Sequence, residues 1–169
     1  NRASGANSVW LMDGATTTGD LTPLTQPTQW TTGSGTASVA PANRTPVVVS
    51  ANPGSGTTAS QAFTFTVSDA DGWQDLGIVN VVVNSALDGR HACYLAYARS
   101  INVLYLVNNA GDGLLPGLVV NGTGSLSNSQ CTITNPTVSG AGNTMTLAMN
   151  MSFPTTFAGY KVSYMAVRD

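Results

Sequence analysis

Apolar and polar residues alternate with a period of two through much of the chain after residue 45. Phe63, Phe65 and Val67 alternate with Thr64 and Thr66, the mark of a strand with one buried face. Val79, Val81 and Val83 share one face of a Val/Ile-rich run over residues 76–83, and Met145, Leu147, Met149 and Met151 repeat the pattern. If Cys93 faces inward, Leu95 and Tyr97 follow it and Tyr94 points outward. Further strands are expected at residues 46–49, 103–107 and 160–167 and around Cys131. Turn chemistry separates them at Asn52-Pro53-Gly54-Ser55-Gly56, at Ser68-Asp69-Ala70-Asp71-Gly72 and at Asp88-Gly89, and residues 108–117 read as a loop. Seven to nine short strands joined this way predict an all-β sandwich, with a small barrel as the alternative.

Residues 1–44 follow a different pattern. Val9-Trp10-Leu11-Met12 is a short apolar run, followed by Asp13-Gly14 and a Thr-rich stretch reaching Trp30. Residues 31–38 are a Gly/Ser/Thr linker by composition. The expected organisation is an N-terminal strand-bearing arm and linker, 1–44, ahead of a sandwich, 45–169. A lone strand at residues 9–12 leaves its backbone groups unpaired, so it is expected to add to an open sheet edge. The linker allows pairing within the chain or, the preferred reading, with a neighbouring copy.

Composition narrows the class. All eight acids are aspartate and Lys161 is the only lysine, so strong helix formers are scarce while Val, Thr, Ser and Asn abound. A net charge of −2 with scattered arginines provides no basic stripe, which argues against nucleic acid as a partner. No apolar run is long enough to span a membrane. The chain opens in a polar segment without a signal peptide, as expected of a processed protein or an excised fragment. Cys93 and Cys131 lack the clustered spacing of a zinc site; they are either buried free thiols or a bridge. The extracellular character of the composition favours a disulfide joining two core strands.

Two resemblances extend this reading. Asn1-Arg2-Ala3-Ser4-Gly5 and Ser8-Val9-Trp10-Leu11-Met12-Asp13-Gly14 resemble part of a blade of the FG-GAP/VCBS-type repeats of bacterial secreted proteins. That family's Asp-x-Asn-x-Asp-Gly calcium loop is absent here, so no calcium ligand carries over from it. Over residues 56–169 the segments Phe63-Thr64-Phe65, Asp75-Leu76-Gly77-Ile78-Val79-Asn80-Val81 and Ala92-Cys93-Tyr94-Leu95-Ala96-Tyr97 carry a second resemblance. With Leu104-Tyr105-Leu106-Val107-Asn108, Ser127-Asn128-Ser129-Gln130-Cys131 and Phe157-Ala158-Gly159-Tyr160, they are similar to an uncharacterised Ig-like module of repeat-rich bacterial surface proteins. This resemblance implies an immunoglobulin-like β-sandwich without a known enzymatic role. It also implies a further strand beyond Asp169.

Candidate chemistry is sparse. Asp69, Asp71, Gln74 and Asp75 gather side-chain oxygens as calcium loops do, but the same residues build a plain turn, and that is the expectation. His91 is the only histidine; Asp88 is its available partner, and no Gly-x-Ser-x-Gly elbow accompanies them. A paired-aspartate glycosidase depends on separations in space, and no glutamate is present as the usual acid. Neither catalysis nor a metal or cofactor is expected. Trp73, Tyr94, Tyr105 and Tyr164 form a candidate exposed aromatic strip able to stack on sugar rings, the ordinary alternative being core filling with hydroxyls at the rim. Asn43-Arg44-Thr45, Asn121-Gly122-Thr123 and Asn150-Met151-Ser152 match the glycosylation sequon, as chance allows in such a composition. The functional expectation is an extracellular or cell-surface structural or adhesive module that forms a homo-oligomer or polymer or joins neighbouring domains of a larger surface protein. A polysaccharide-binding accessory module is the second reading.

Overall fold

Alternation decides the inward faces, and pairing then assembles the strands into two layers. The computed structural model describes residues 42–169, which belong to the compact unit Pro41–Asp169. Its strands are β1 (Val47–Asn52), β2 (Ser60–Ser68), β3 (Ile78–Asn84), β4 (Cys93–Ala98) and β5 (Val103–Leu106). They continue as β6 (Leu118–Val119), β7 (Ser125–Ser127), β8 (Thr132–Ala141), β9 (Thr144–Ser152) and β10 (Val162–Arg168). One antiparallel sheet has the order β1-β2-β9-β8-β7 and the other β10-β3-β4-β5-β6. Two separate sheets make a sandwich; the barrel alternative is not what forms. The order is immunoglobulin-like: β1, β2, β9 and β8 take the A, B, E and D places, and β10, β3, β4 and β5 take F, C, C′ and C″. In that plan a G strand pairs outside F. Among the described residues β10 is the edge strand.

The core lies between the layers. Phe65, Val67, Ile133, Met145, Leu147 and Met151 from one sheet meet Val79, Val81, Leu95, Tyr97, Leu104 and Leu106 from the other. Each fully buried aliphatic side chain stabilises the fold by about 1.5–3 kcal/mol. The expected period-two faces at 63–67, 79–83 and 145–151 all point inward. At β1 the pattern differs: Val47, Val48 and Val49 are exposed, and the register with β2 shifts between Val48 and Ser50. β8 follows directly on Cys131, where a strand is expected; it carries Pro136 and Gly140 and little alternation, and its pairing with β9 sets its extent to Ala141.

The disulfide joins Cys93 of β4 to Cys131, which immediately precedes β8, and so ties the two sheets together. Its closed loop, a sequence separation of 38, is worth about 4 kcal/mol in the chain-entropy picture. Beside it Asn128 acts as a second tie. Its Nδ2 donates to the carbonyls of Ala92 (3.0 Å) and Val107 (3.1 Å), while its Oδ1 accepts from the N–H groups of Gln130 and Cys131. The arm segment Val9-Trp10-Leu11-Met12 lies outside the described residues.

Candidate functional site

Three of the four candidate aromatics share a surface. Pairing places Tyr164 of β10, Val82 of β3 and Tyr94 of β4 in one row across the second sheet, with Val82 in the middle. Tyr105 of β5 stands opposite Ala96, so it is a diagonal neighbour of Tyr94 on the same outer face. All three rings are half-buried. The Tyr94 hydroxyl donates to Asn80 Oδ1 at 3.2 Å, which fixes the ring on the sheet. Gly117 lies against Tyr105; a Cβ there would stand 2.6 Å from Tyr105 Cε1, so a side chain at 117 would displace the ring.

Trp73 is not part of this strip. It sits on the 3-10 turn Trp73–Asp75, half-buried against the core, with its ring over Gly140 of the other sheet. A side chain at position 140 would collide with the ring, so Gly140 is the socket for Trp73. The expected strip therefore contracts to Tyr94, Tyr105 and Tyr164.

The Asp88–His91 pairing does not form. Asp88 instead takes a forked ion pair from Arg90, Nη2 to Oδ2 at 2.7 Å, and also accepts the Arg90 N–H at 2.9 Å. The Arg90 side-chain hydrogen bonds, with help from that backbone bond, hold the Asp88 carboxyl down to about 2. Arg90 rises correspondingly through the same hydrogen bonds. His91 is exposed, with φ 48°, and its backbone N–H donates to Asn109 O.

In the acidic turn the expected side-chain bonding is present: Asp71 N–H donates to Asp69 Oδ1 at 2.8 Å. Asp71 itself turns away, its Oδ2 accepting the Arg44 N–H at 2.6 Å. Gln74 is exposed, its side-chain oxygen lying beside Gly72. Asp69 and Asp75 instead meet Asp169, which follows β10. No local spacing pointed to that residue.

One end of the sandwich opens into an apolar cleft of about 950 Å³ that the sequence reading did not anticipate. Phe63, Phe153 and Phe157 line it, with Phe153 edge-on to Phe63 at 6.2 Å and stacked with Phe157 at 5.9 Å. Lys161 Nζ caps the Phe157 ring at 4.6 Å. Ala51 of β1 and Val162 of β10, both on edge strands, are among its lining residues. Its sequence signal was two isolated phenylalanines among Thr, Pro and Ala, too short a pattern to specify a shared wall. A smaller polar depression of about 350 Å³ at the opposite side is lined by Asn108, Asn109, Leu115, Ser127, Asn128 and Ser129.

No helix is long and apolar enough to cross a membrane among the described residues. No family model, no curated protein and no solved structure matches the chain.

Proposed function

We propose that this chain is a non-catalytic structural or adhesive module that works outside the cytoplasm, at a cell surface or in an extracellular polymer, and joins its neighbours by strand addition. The observation that carries this reading is an open sheet edge among the described residues. β10 pairs regularly with β3 over seven residues, and among the described residues no strand pairs with its other edge. Met165 and Val167 point from β10 toward the core yet remain half-buried, whereas Val79 and Val81 beside them on β3 are buried. Exposed Val47, Val48 and Val49 of β1 lie alongside β10 on the same side. A regular, unpaired edge with apolar residues behind it is a template for another strand.

The shift at Val49 blunts β1 as a template, so β10 is the edge that accepts the added strand. Residues 9–12 of a neighbouring copy, reached through the linker, are the proposed donor. Head-to-tail donation of this kind builds a filament unless it closes into a ring. The inter-sheet disulfide supports an oxidising compartment.

Size-exclusion chromatography with light scattering tests this reading. The intact chain should self-associate with rising concentration, and deletion of residues 1–30 should leave a folded but less stable monomer. Val167→Lys on β10 should block association without unfolding the sandwich. An intact chain that stays monomeric at millimolar concentration, with the same mass and melting temperature after the deletion, would overturn the proposal. A strand following Asp169 in a longer chain would then be the better occupant of the edge.

A second reading has its own observation: Tyr94, Tyr105 and Tyr164 on one sheet face, with Asn80 held beside them. Such a face suits stacking on a polysaccharide, and Tyr94→Ala and Tyr164→Ala should abolish retention on insoluble glycans if it binds them. Retention on no glycan tried would remove this reading.

A further inference from the structure

We infer that Asp69, Asp75 and Asp169 form a calcium site that ties the segment ahead of β1 and the residue after β10 to the β2–β3 loop. This inference does not depend on the strand-addition proposal. The three residues come from two segments distant in sequence: Asp69 and Asp75 from the β2–β3 connection, the latter on its 3-10 turn, and Asp169 from the end of β10. One carboxylate oxygen from each lies within 4.8 Å of the other two. Two oxygens bound to one calcium ion at about 2.4 Å can be no more than about 4.8 Å apart, so the cluster has the span of a single coordination sphere.

Asp69 provides the independent sign of a ligand. It is only 1% exposed, and while Oδ1 accepts the Asp71 N–H, Oδ2 has no hydrogen-bond partner. A buried carboxylate oxygen without a donor or counter-charge is costly, and such groups are ordinarily paired or bound to a metal. Among the described residues no side-chain cation forms a salt bridge with the cluster. The one salt bridge among the described residues is Arg90–Asp88, well removed in the fold on the loop before β4. Arg99 directs its Nε to the Leu76 carbonyl, and Arg44 offers only its backbone N–H, which Asp71 takes.

The arrangement around the cluster holds Asp169 in place. Gly77 N–H donates to the Arg168 carbonyl at 2.8 Å, and a Cβ on Gly77 would lie 3.1 Å from the Asp169 backbone carbon. Asn43 Nδ2 donates to Asp169 Oδ2 at 2.6 Å. The segment before β1 is thus already bonded to two loop or terminal carboxylates, Asp169 through Asn43 and Asp71 through Arg44. An ion among the carboxylates would remove their mutual repulsion and fix the leading segment, the β2–β3 loop and the end of β10 together.

The donor set selects the ion. Three carboxylates with no imidazole or thiolate favour a hard cation over zinc or copper. Irregular loop ligands completed by water suit calcium, which accepts six to eight oxygens in variable geometry; magnesium demands a near-ideal octahedron. An affinity in the range of about 10⁻⁴ to 10⁻³ M is expected, as for extracellular calcium modules.

Isothermal titration of the chelator-stripped full chain with calcium chloride tests the site. One equivalent should bind, the melting temperature should rise at about 10 mM calcium, and magnesium at the same concentration should produce a smaller shift. Terbium should luminesce through Trp73, two residues from Asp75, and this signal should fall in Trp73→Phe. Asp75→Asn, at an exposed position, should keep the fold and weaken binding at least tenfold, and Asp169→Asn should do the same. Calcium should also slow tryptic cleavage after Arg44. Absence of binding at about 10 mM calcium, or binding untouched by both substitutions, would overturn the site. Equal response to magnesium would overturn its assignment to calcium. Binding with unchanged cleavage after Arg44 would overturn the tie to the leading segment.

Discussion

The two sides of this sandwich are closed in opposite ways. On the β6/β7 side the edge strands are two and three residues long, and the core residues of neighbouring β5, Leu104 and Leu106, are completely buried. The disulfide and the two hydrogen bonds from Asn128 Nδ2 to the Ala92 and Val107 carbonyls sit toward this side and hold sheet to sheet. On the β1/β10 side the edges are six and seven residues long, and the core-facing residues of β10 stay half-buried. One side is finished by covalent and polar ties with edges too short to recruit a strand. The other keeps apolar surface in reserve. The difference teaches that the inter-sheet ties and the long, incompletely covered edges lie on opposite sides of the sandwich.

Removing the disulfide should break the comparison most severely. Cys93→Ser with Cys131→Ser should cost about 4 kcal/mol in urea unfolding. A loss under about 1 kcal/mol would mean that the closed side draws its stability from elsewhere.

Two methionines sharpen the contrast at constant chemistry. Met151→Ala, at a residue with no exposed surface, should cost about 3 kcal/mol. Met165→Ala on β10 should cost about 1 kcal/mol or less in the monomer, because part of its surface is already in water. Equal costs would show that the β10 side is sealed after all.

Asn128→Ala should cost about 2 kcal/mol in the same measurement, since the carbonyls of Ala92 and Val107 lose their shared donor. Its closeness to the disulfide makes the two non-additive, which a double-mutant cycle would read out.

The smallest effect belongs to Asp88. Its folded carboxyl is held at about 2, below the ordinary aspartate value of about 4. The Arg90 pair therefore stabilises the fold above the unfolded value, and that contribution is lost as the pH falls from about 4 toward about 2. The pair is exposed, so solvent screens it and the melting temperature should move only slightly across that window. Asp88→Asn should remove this slight pH dependence and leave the edge and the core as they are.

The sequence by itself determined the strands with clear alternation and which of their faces turn inward. Alternation at 63–67, 79–83 and 145–151 is a local property, and a period of two leaves only one face able to be buried. The exclusive cysteine pair was legible for the same reason: its partners needed no search. The sharing of a face by Tyr94, Tyr105 and Tyr164 was half legible, since alternation turned Tyr94 outward but only strand order set the others beside it. Tertiary structure alone decided the rest. Trp73 left the strip because a side-chain-free position at Gly140 on another strand offered it a socket. Asp88 chose Arg90 over His91 because the tight turn brings the guanidinium fork onto the carboxylate. Asp169 reached Asp69 and Asp75 through the pairing of β10 with β3, which fixes where the strand ends. Local periodicity encodes the direction a side chain takes from its own strand; which distant side chain it meets there depends on register and sheet order, and those are set by the packing of the whole core.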